Sequence, residues 1–284
     1  MKVKMIEPIS MAEQMMYATV RIVGQTPGGI KTGTGFLYSV PVKEGTVALL
    51  VTNKHVIEGR TSLEFLVHTI SDSNAKKPDG NAAIASKIAD WTNHRNVKID
   101  LCAVPVGGAF ANTSPPPFYR TLGSALIQSQ SELENLNAVE EVLMVGYPNG
   151  LWDAKNNFPL LRRGITASHP AIDYDVNGVA TTVVDMACFP GSSGSPVFIY
   201  DNGSFIDKRG NVNIGTSRTI LLGVLYSGPT IQADGSIVIK DIPTVNTPVP
   251  QLNLMMNLGY VIKALELKEL AGAVLKQHKI EPKA

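Results

Sequence analysis

The sequence predicts an all-β fold, a sandwich or a barrel, closed off by one helix at the C-terminal end. Three observations carry this. Short apolar runs rich in Val, Ile, Thr, Tyr and Leu recur along the chain. Gly, Pro, Asn and Asp break these runs at short intervals, as they do between strands. One segment alone shows a helical period. Many short strands with Gly- and Pro-rich turns belong to sandwiches and barrels, and 284 residues suit one large or two modest units.

In chain order, the strand-like runs are "YATVRIVG", "TGFLYSV", "TVALLVTN", "SLEFLVHTI" and "DLCAVPV". Residues 108–140 follow, with consecutive prolines at 115–117 and a Ser/Asn-rich stretch, and read as a stiff connection leading into irregular structure. The runs resume with "EEVLMVGYP", "TTVVDMACF", "SPVFIY" and "TILLGVLYS". In "YVIKALELKELAGAVLKQHK", Val261, Leu265, Leu267, Leu270, Val274 and Leu275 fall near a helical period with Lys and Glu between them, so this segment is expected to dock one face on the body. No repeat is visible at a fixed period.

Composition narrows the function classes. Hydrophobic residues are 44% and charged residues 17%, an ordinary globular balance. The net charge of +1 offers no clustered basic face for nucleic acid, and Arg162-Arg163 reads as a solvated strand end. No window reaches about 18 consecutive apolar residues, so no membrane span is expected. Glu7 and Glu13 interrupt the N-terminal segment, which does not read as a secretory leader, and a cytoplasmic location is expected. Two cysteines, Cys102 and Cys188, read as buried thiols. Metal ligation is not expected, because no His or Cys spacing suits it.

The chemistry gathers around Gly191-Ser192-Ser193-Gly194. A serine hydroxyl needs a base to become a nucleophile, and acyl transfer needs N–H donors for the oxyanion that develops. Glycines flanking serine let consecutive N–H groups turn inward. Ser193 is then the nucleophile, and the N–H groups of Gly191 and Ser193 are the oxyanion donors. Taken alone, the stretch reads equally well as a hairpin turn. It is not the Gly-x-Ser-x-Gly elbow, because Ser195 stands where the second Gly is needed and a strand follows rather than a helix.

Of five histidines, His55 has the best setting, where the run "LLVTN" gives way to a turn. His68 lies inside a strand-like run, His94 in a polar loop, His169 before Pro170 and His278 in the tail helix. The orienting acid is expected at a strand edge. Asp100 fits, as a lone acid heading an apolar strand. Asp185 is the competitor, but it lies only eight residues before Ser193 on the same segment.

With "TNKHV", "IDLCAV" and "PGSSGSP" in the order His, Asp, Ser, the chain resembles the trypsin-like serine peptidases of the chymotrypsin fold. The nearest resemblance is to the bacterial branch that includes HtrA-type and glutamyl-endopeptidase-type enzymes. "KTGTGFLYSV", "VLMVGYPNG", "RRGITAS" and "LLGVLYSG" resemble further family strands, so the resemblance spans about residues 15–278. It implies two six-stranded antiparallel β-barrels and a C-terminal helix. The first barrel would span 10–115 with His55 and Asp100, a linker 116–140, the second barrel 141–259 with Ser193, and the helix and tail 260–284.

The resemblance also implies roles. His55 is the general base and then acid, Asp100 orients it, Ser193 attacks, and the amides of Gly191 and Ser193 hold the oxyanion. It implies a protein or peptide substrate and no cofactor, and it leaves an activating partner open. "RIVGQ" looks like a zymogen cleavage site, but Ser192 stands where the partner Asp would be, so activation by that route is not expected. No PDZ module is expected after the helix. The specificity pocket maps to Ala187, Ser227 and Gly228, with Leu225 where a glutamate-selecting histidine would stand, which implies a neutral pocket.

Overall fold

A computed structural model describes residues 5–174, 180–234 and 251–283. The chain opens on a helix that the strand reading missed, α1 (Met11–Ala18). Ser10 and Glu13 form a reciprocal capping box: Glu13 N–H donates to Ser10 Oγ at 3.2 Å and Ser10 N–H to Glu13 Oε2 at 2.7 Å. Tyr17 and Ala18 therefore belong to the helix, not to the first strand.

The N-terminal half then lays down β1 (Thr19–Thr26), β2 (Gly29–Val42), β3 (Gly45–Thr52), the single turn α2 (Lys54–Ile57), β4 (Ser62–Thr69), β5 (Gly80–Ala85), β6 (Thr92–Asn93) and β7 (Cys102–Pro105). The short elements α3 (Gly107–Ala111), β8 (Pro117–Phe118), β9 (Leu122–Gly123) and α4 (Gln130–Leu133) follow. The sheet runs β5-β4-β1-β2-β3-β7-β6, with β8 on β4 and β9 on β2. This is nine strands rather than the six expected, and among the described residues no pairing joins β5 to β6. The reason is local. Strand β6 is only two residues long, and a 3-10 turn over Ile88–Asp90 fills the gap between it and β5. Ile22, Leu37, Leu50, Phe65, Cys102 and Val104 pack inside. The prolines at 115–117 lead into strands paired to this sheet, so part of the predicted connection is built into the first half.

The C-terminal half contributes β10 (Glu141–Gly146), β11 (Leu160–Thr166), β12 (Thr181–Asp185), β13 (Pro196–Asp201), the hairpin β14 (Ser204–Ile206) and β15 (Val212–Ile214), and β16 (Arg218–Ser227). Strands β17 (Thr230–Asp234) and β18 (Gln251–Met255) pair with each other, and β19 (Leu258–Lys263) follows. Six of these strands close into a barrel, β10-β11-β12-β19-β16-β13. Strand β19 corrects the predicted helix start. Val261 and Ile262 are β-branched and pair with both β12 and β16, so Tyr260–Lys263 completes the barrel. The last helix, α5 (Glu266–Gln277), begins only after it.

Leu267, Leu270, Ala271 and Val274 share one buried face of α5, at the i, i+3, i+4, i+7 spacing of an amphipathic helix. They join Phe36, Leu49 and Leu101 from the first half and Phe198, Leu221 and Ile262 from the second in one core. Each of the Leu, Ile, Val and Phe side chains contributes roughly 1.5–3 kcal/mol by burial, so this shared core fixes how the halves meet. Among the described residues, no helix is long and apolar enough to cross a membrane.

Candidate active site

Strand β3 ends at Thr52, and Asn53 carries the chain into α2. His55 stands on that turn, with its side chain 45% exposed. Its Nδ1 lies 2.5 Å from Asp100 Oδ2, and its backbone N–H donates to Asp100 Oδ1 at 3.2 Å. Asn53 Nδ2 donates to the Asp100 carbonyl at 2.7 Å. Both carboxylate oxygens are thus engaged with the same histidine. An ionised carboxylate oxygen only accepts, so Nδ1 is the donor in this contact and Nε2 is left outside the pair. The competing acid, Asp185, is exposed on β12 and pairs with Ile165 and Leu258 instead.

Ser193 lies in the tight turn before β13. Gly191 and Gly194 have φ of 86° and 87°, where a side chain is strained. A Cβ on Gly194 would collide with the Thr34 carbonyl and the Thr52 hydroxyl, so the turn seats directly on β2 and on the end of β3 that leads to His55. Two anchors orient its peptides. Asn149 N–H donates to the Pro190 carbonyl at 2.5 Å, and Ser195 N–H donates to the Ser192 carbonyl at 3.0 Å. In a planar trans peptide the N–H points opposite to the C=O. The N–H groups of Gly191 and Ser193 therefore point away from these anchors, and among the described residues neither donates to a protein acceptor.

Thr34, on β2, clamps this turn across the two halves. Its N–H donates to the Ser193 carbonyl at 3.0 Å, and its hydroxyl donates to the Gly191 carbonyl at 2.9 Å and accepts from Tyr147 N–H at 3.1 Å. The hydroxyls of Ser192 and Ser195 are buried without a partner. The Ser193 hydroxyl is part-buried and donates to the Tyr226 carbonyl at 3.4 Å. Among the described residues no hydrogen bond joins it to His55.

A hollow of about 210 Å³ opens beside Ser193, lined by Cys188, Phe189, Pro190, Leu225, Tyr226, Ser227 and Gly228. Ser227 and Gly228, both named from the sequence, are in this lining. Ala187, also named from the sequence, is not among the lining residues. No charged side chain lines it. Larger hollows of about 490 and 480 Å³ lie elsewhere, against Glu141 and Arg163 and against Lys43 and Lys279, and touch none of these groups.

Both cysteines are free and buried. Burial pushes the Cys188 thiol up to about 11 and Cys102 well above its usual range, so neither offers a thiolate at neutral pH. The remaining histidines are structural. His68 is buried with Nε2 3.0 Å from the Asn156 carbonyl, and His169 Nδ1 accepts from Ala171 N–H at 3.2 Å. His278 Nε2 meets the Asp90 carbonyl at 3.1 Å. His94, read as part of a polar loop, is buried against Glu266 and Glu269. Sequence reasoning missed Thr34, Asn149 and Tyr226. Only Thr34 left a trace, a threonine between two glycines in a buried strand.

The chain matches the family model of the trypsin-like peptidase domain over residues 33–206. No curated protein matches its sequence. Among solved structures it resembles an inactive mutant form of Rv3671c from M. tuberculosis H37Rv, at 17% identity and a TM-score of 0.45, covering 98% of this chain and 95% of that one. It also resembles the serine endoprotease from Yersinia pestis, at 15% identity and a TM-score of 0.50, covering 94% of this chain and 66% of that one. The HtrA-type protease AlgW with a tripeptide gives 13% identity and a TM-score of 0.49, with 94% and 63% covered. The chain thus spans about two thirds of the length of the last two.

Proposed function

The chain belongs to the trypsin-like peptidase family and is a serine-type endopeptidase, and from that premise we propose that His55, Asp100 and Ser193 are its catalytic triad. The observation that carries this is the double engagement of Asp100 with the ring and the backbone of His55. We read the N-terminal sheet as the counterpart of the family's first barrel.

Catalysis starts when the Ser193 hydroxyl rotates from the Tyr226 carbonyl toward His55. Nε2 takes its proton as Oγ bonds to the substrate carbonyl carbon. The carbonyl π pair moves onto oxygen, and the N–H groups of Gly191 and Ser193 hold that oxyanion. Asp100 stabilises the imidazolium through Nδ1–H without becoming protonated. As the C–N bond breaks, His55 returns the proton to the leaving amine, which leaves an acyl-serine. Water, activated by the same histidine, then releases the acid and regenerates Ser193.

The neutral, mostly apolar hollow at Cys188, Leu225 and Gly228 favours an uncharged residue before the scissile bond, because a buried charge there would lack a partner. A second reading, a module silent until a partner engages it, draws on the bond between Ser193 and Tyr226. Cleavage-site profiling on a peptide library tests both. The first reading expects cuts after uncharged residues, abolished in Ser193→Ala. A library left intact by the wild type favours the second.

A further inference from the structure

His94 opens the loop that carries Asp100, and its side chain has no exposed surface. Its N–H donates to the Leu101 carbonyl at 2.9 Å, closing the loop at its base. Its Nδ1 accepts the Asn96 N–H at 3.1 Å. Asn96 in turn holds the middle of the loop. Its carbonyl accepts from Ile99 N–H at 3.1 Å and Lys54 Nζ at 3.4 Å, and its Oδ1 accepts from Lys98 N–H at 3.0 Å. Ile99 and Leu101, on either side of Asp100, are buried in the same core as Leu267, Leu270 and Val274 of α5.

The acid loop is thus held from two directions. Asn53, Lys54 and His55 grip it from α2. From the other side, His94 Nε2 lies 3.2 Å from Glu266 Oε2 and 3.7 Å from Glu269 Oε2, both in the first turn of α5. Neither contact meets hydrogen-bond geometry, the second being too long, so the buried Nε2 interacts with the two carboxylates electrostatically. The bond at Nδ1 decides the tautomer. With Nδ1 accepting, the proton sits on Nε2, and the ring offers no lone pair there to a cation. In this arrangement His94 faces Glu266 and Glu269 as a donor, which ties the acid loop to α5.

We propose that His94 is a positioning residue for Asp100, and that the first turn of the C-terminal helix, by gripping His94, sets the register of the acid against His55. This rests on the reading of Asp100 as the orienting acid. Small displacements of such a group are costly in rate even when binding is unaffected.

The test compares wild type, His94→Ala, His94→Gln and the double variant Glu266→Ala/Glu269→Ala. The readouts are kcat and KM on a cleaved peptide, thermal melting, and the low-field proton resonance of the His55–Asp100 hydrogen bond. His94→Ala and the double variant are each expected to lower kcat about 10- to 100-fold with KM within about twofold, and to weaken the resonance. Combining them adds no further loss, because both break one clamp. His94→Gln, which restores an N–H near the ε position, recovers most of kcat. If His94→Ala fails to fold, the double variant decides, since its side chains are 22% and 51% exposed. Unchanged kcat and resonance in that folded variant overturn the proposal. A wild type that takes no covalent serine probe sinks the parent reading and this one with it, whereas an active wild type with indifferent variants sinks only this one.

Discussion

The proposed base and acid are bound to each other within the N-terminal half, with α5 behind the acid loop, whereas the proposed nucleophile of the C-terminal half is held by the opposite half. Asn53 and the His55 amide seize Asp100 over a span of less than 50 residues. The Ser193 turn is clamped by Thr34, 157 positions away from Gly191. The base–acid pair is closed at 2.5 Å, while Ser193 rests on Tyr226. The half with the unclosed ladder thus carries the closed His55–Asp100 pair, and the closed barrel carries the proposed nucleophile, still to be aligned. Closure of a sheet and readiness of a site are separate properties, and what joins them here is the packing between halves.

The largest way to break this comparison is chemical. Ser193→Ala and His55→Ala are expected to lower kcat by about a millionfold, and Asp100→Asn by about ten-thousandfold through the wrong tautomer. Each should melt like the wild type. Single-turnover kinetics on a cleaved peptide checks this, and an Asp100→Asn enzyme close to wild type would mean that the pair is not the working unit.

A smaller effect sharpens the comparison. Thr34→Val keeps the backbone bond to Ser193 but removes the hydroxyl bonds to Gly191 and Tyr147. We expect kcat to fall about tenfold or somewhat more, with Thr34→Ser restoring it. The low-field resonance of the His55–Asp100 bond should not change, since the Thr34 hydroxyl bonds to neither member of that pair. A resonance that weakens along with kcat would show that the two grips are not independent.

The smallest effect leaves catalysis at neutral pH untouched. Burial holds His68 down at about 4, against about 6.5 in the unfolded chain. Below about pH 6.5 the unfolded chain takes up a proton that the folded chain refuses. The stability contribution is present above that pH and is lost progressively as pH falls toward about 4, to a full extent of roughly 3 kcal/mol. Urea midpoints at pH 7 and pH 5 should diverge more for wild type than for His68→Gln. Equal divergence would contradict a buried neutral imidazole.

The proposed site was legible in the sequence where it is local. Ser193 is flanked by the two glycines that its turn requires, Asp100 heads an apolar strand, and His55 ends one. The residues that hold these groups were not legible, because their roles exist only across the fold. Thr34 reads as one more strand residue until β2 meets the Ser193 turn, and Asn149 as part of a Pro-Asn-Gly turn until its N–H finds Pro190. His94 looked solvated because its neighbours Asn93, Arg95 and Asn96 are polar, yet α5 covers it. The extra helix α1 did leave a local sign, the Ser10–Glu13 box, which the apolar run after it obscured. The start of α5 was misplaced because the helical period of "VIKALELKEL" continues smoothly out of a strand whose β-branched residues close the barrel.

Intact mass after incubation with a fluorophosphonate probe, with His55→Ala alongside, tests the triad most directly. The account predicts a single adduct on the wild type, mapped by digestion to Ser193 and absent from His55→Ala. An adduct on another serine, equal labelling of both proteins, or no adduct on the wild type would contradict it.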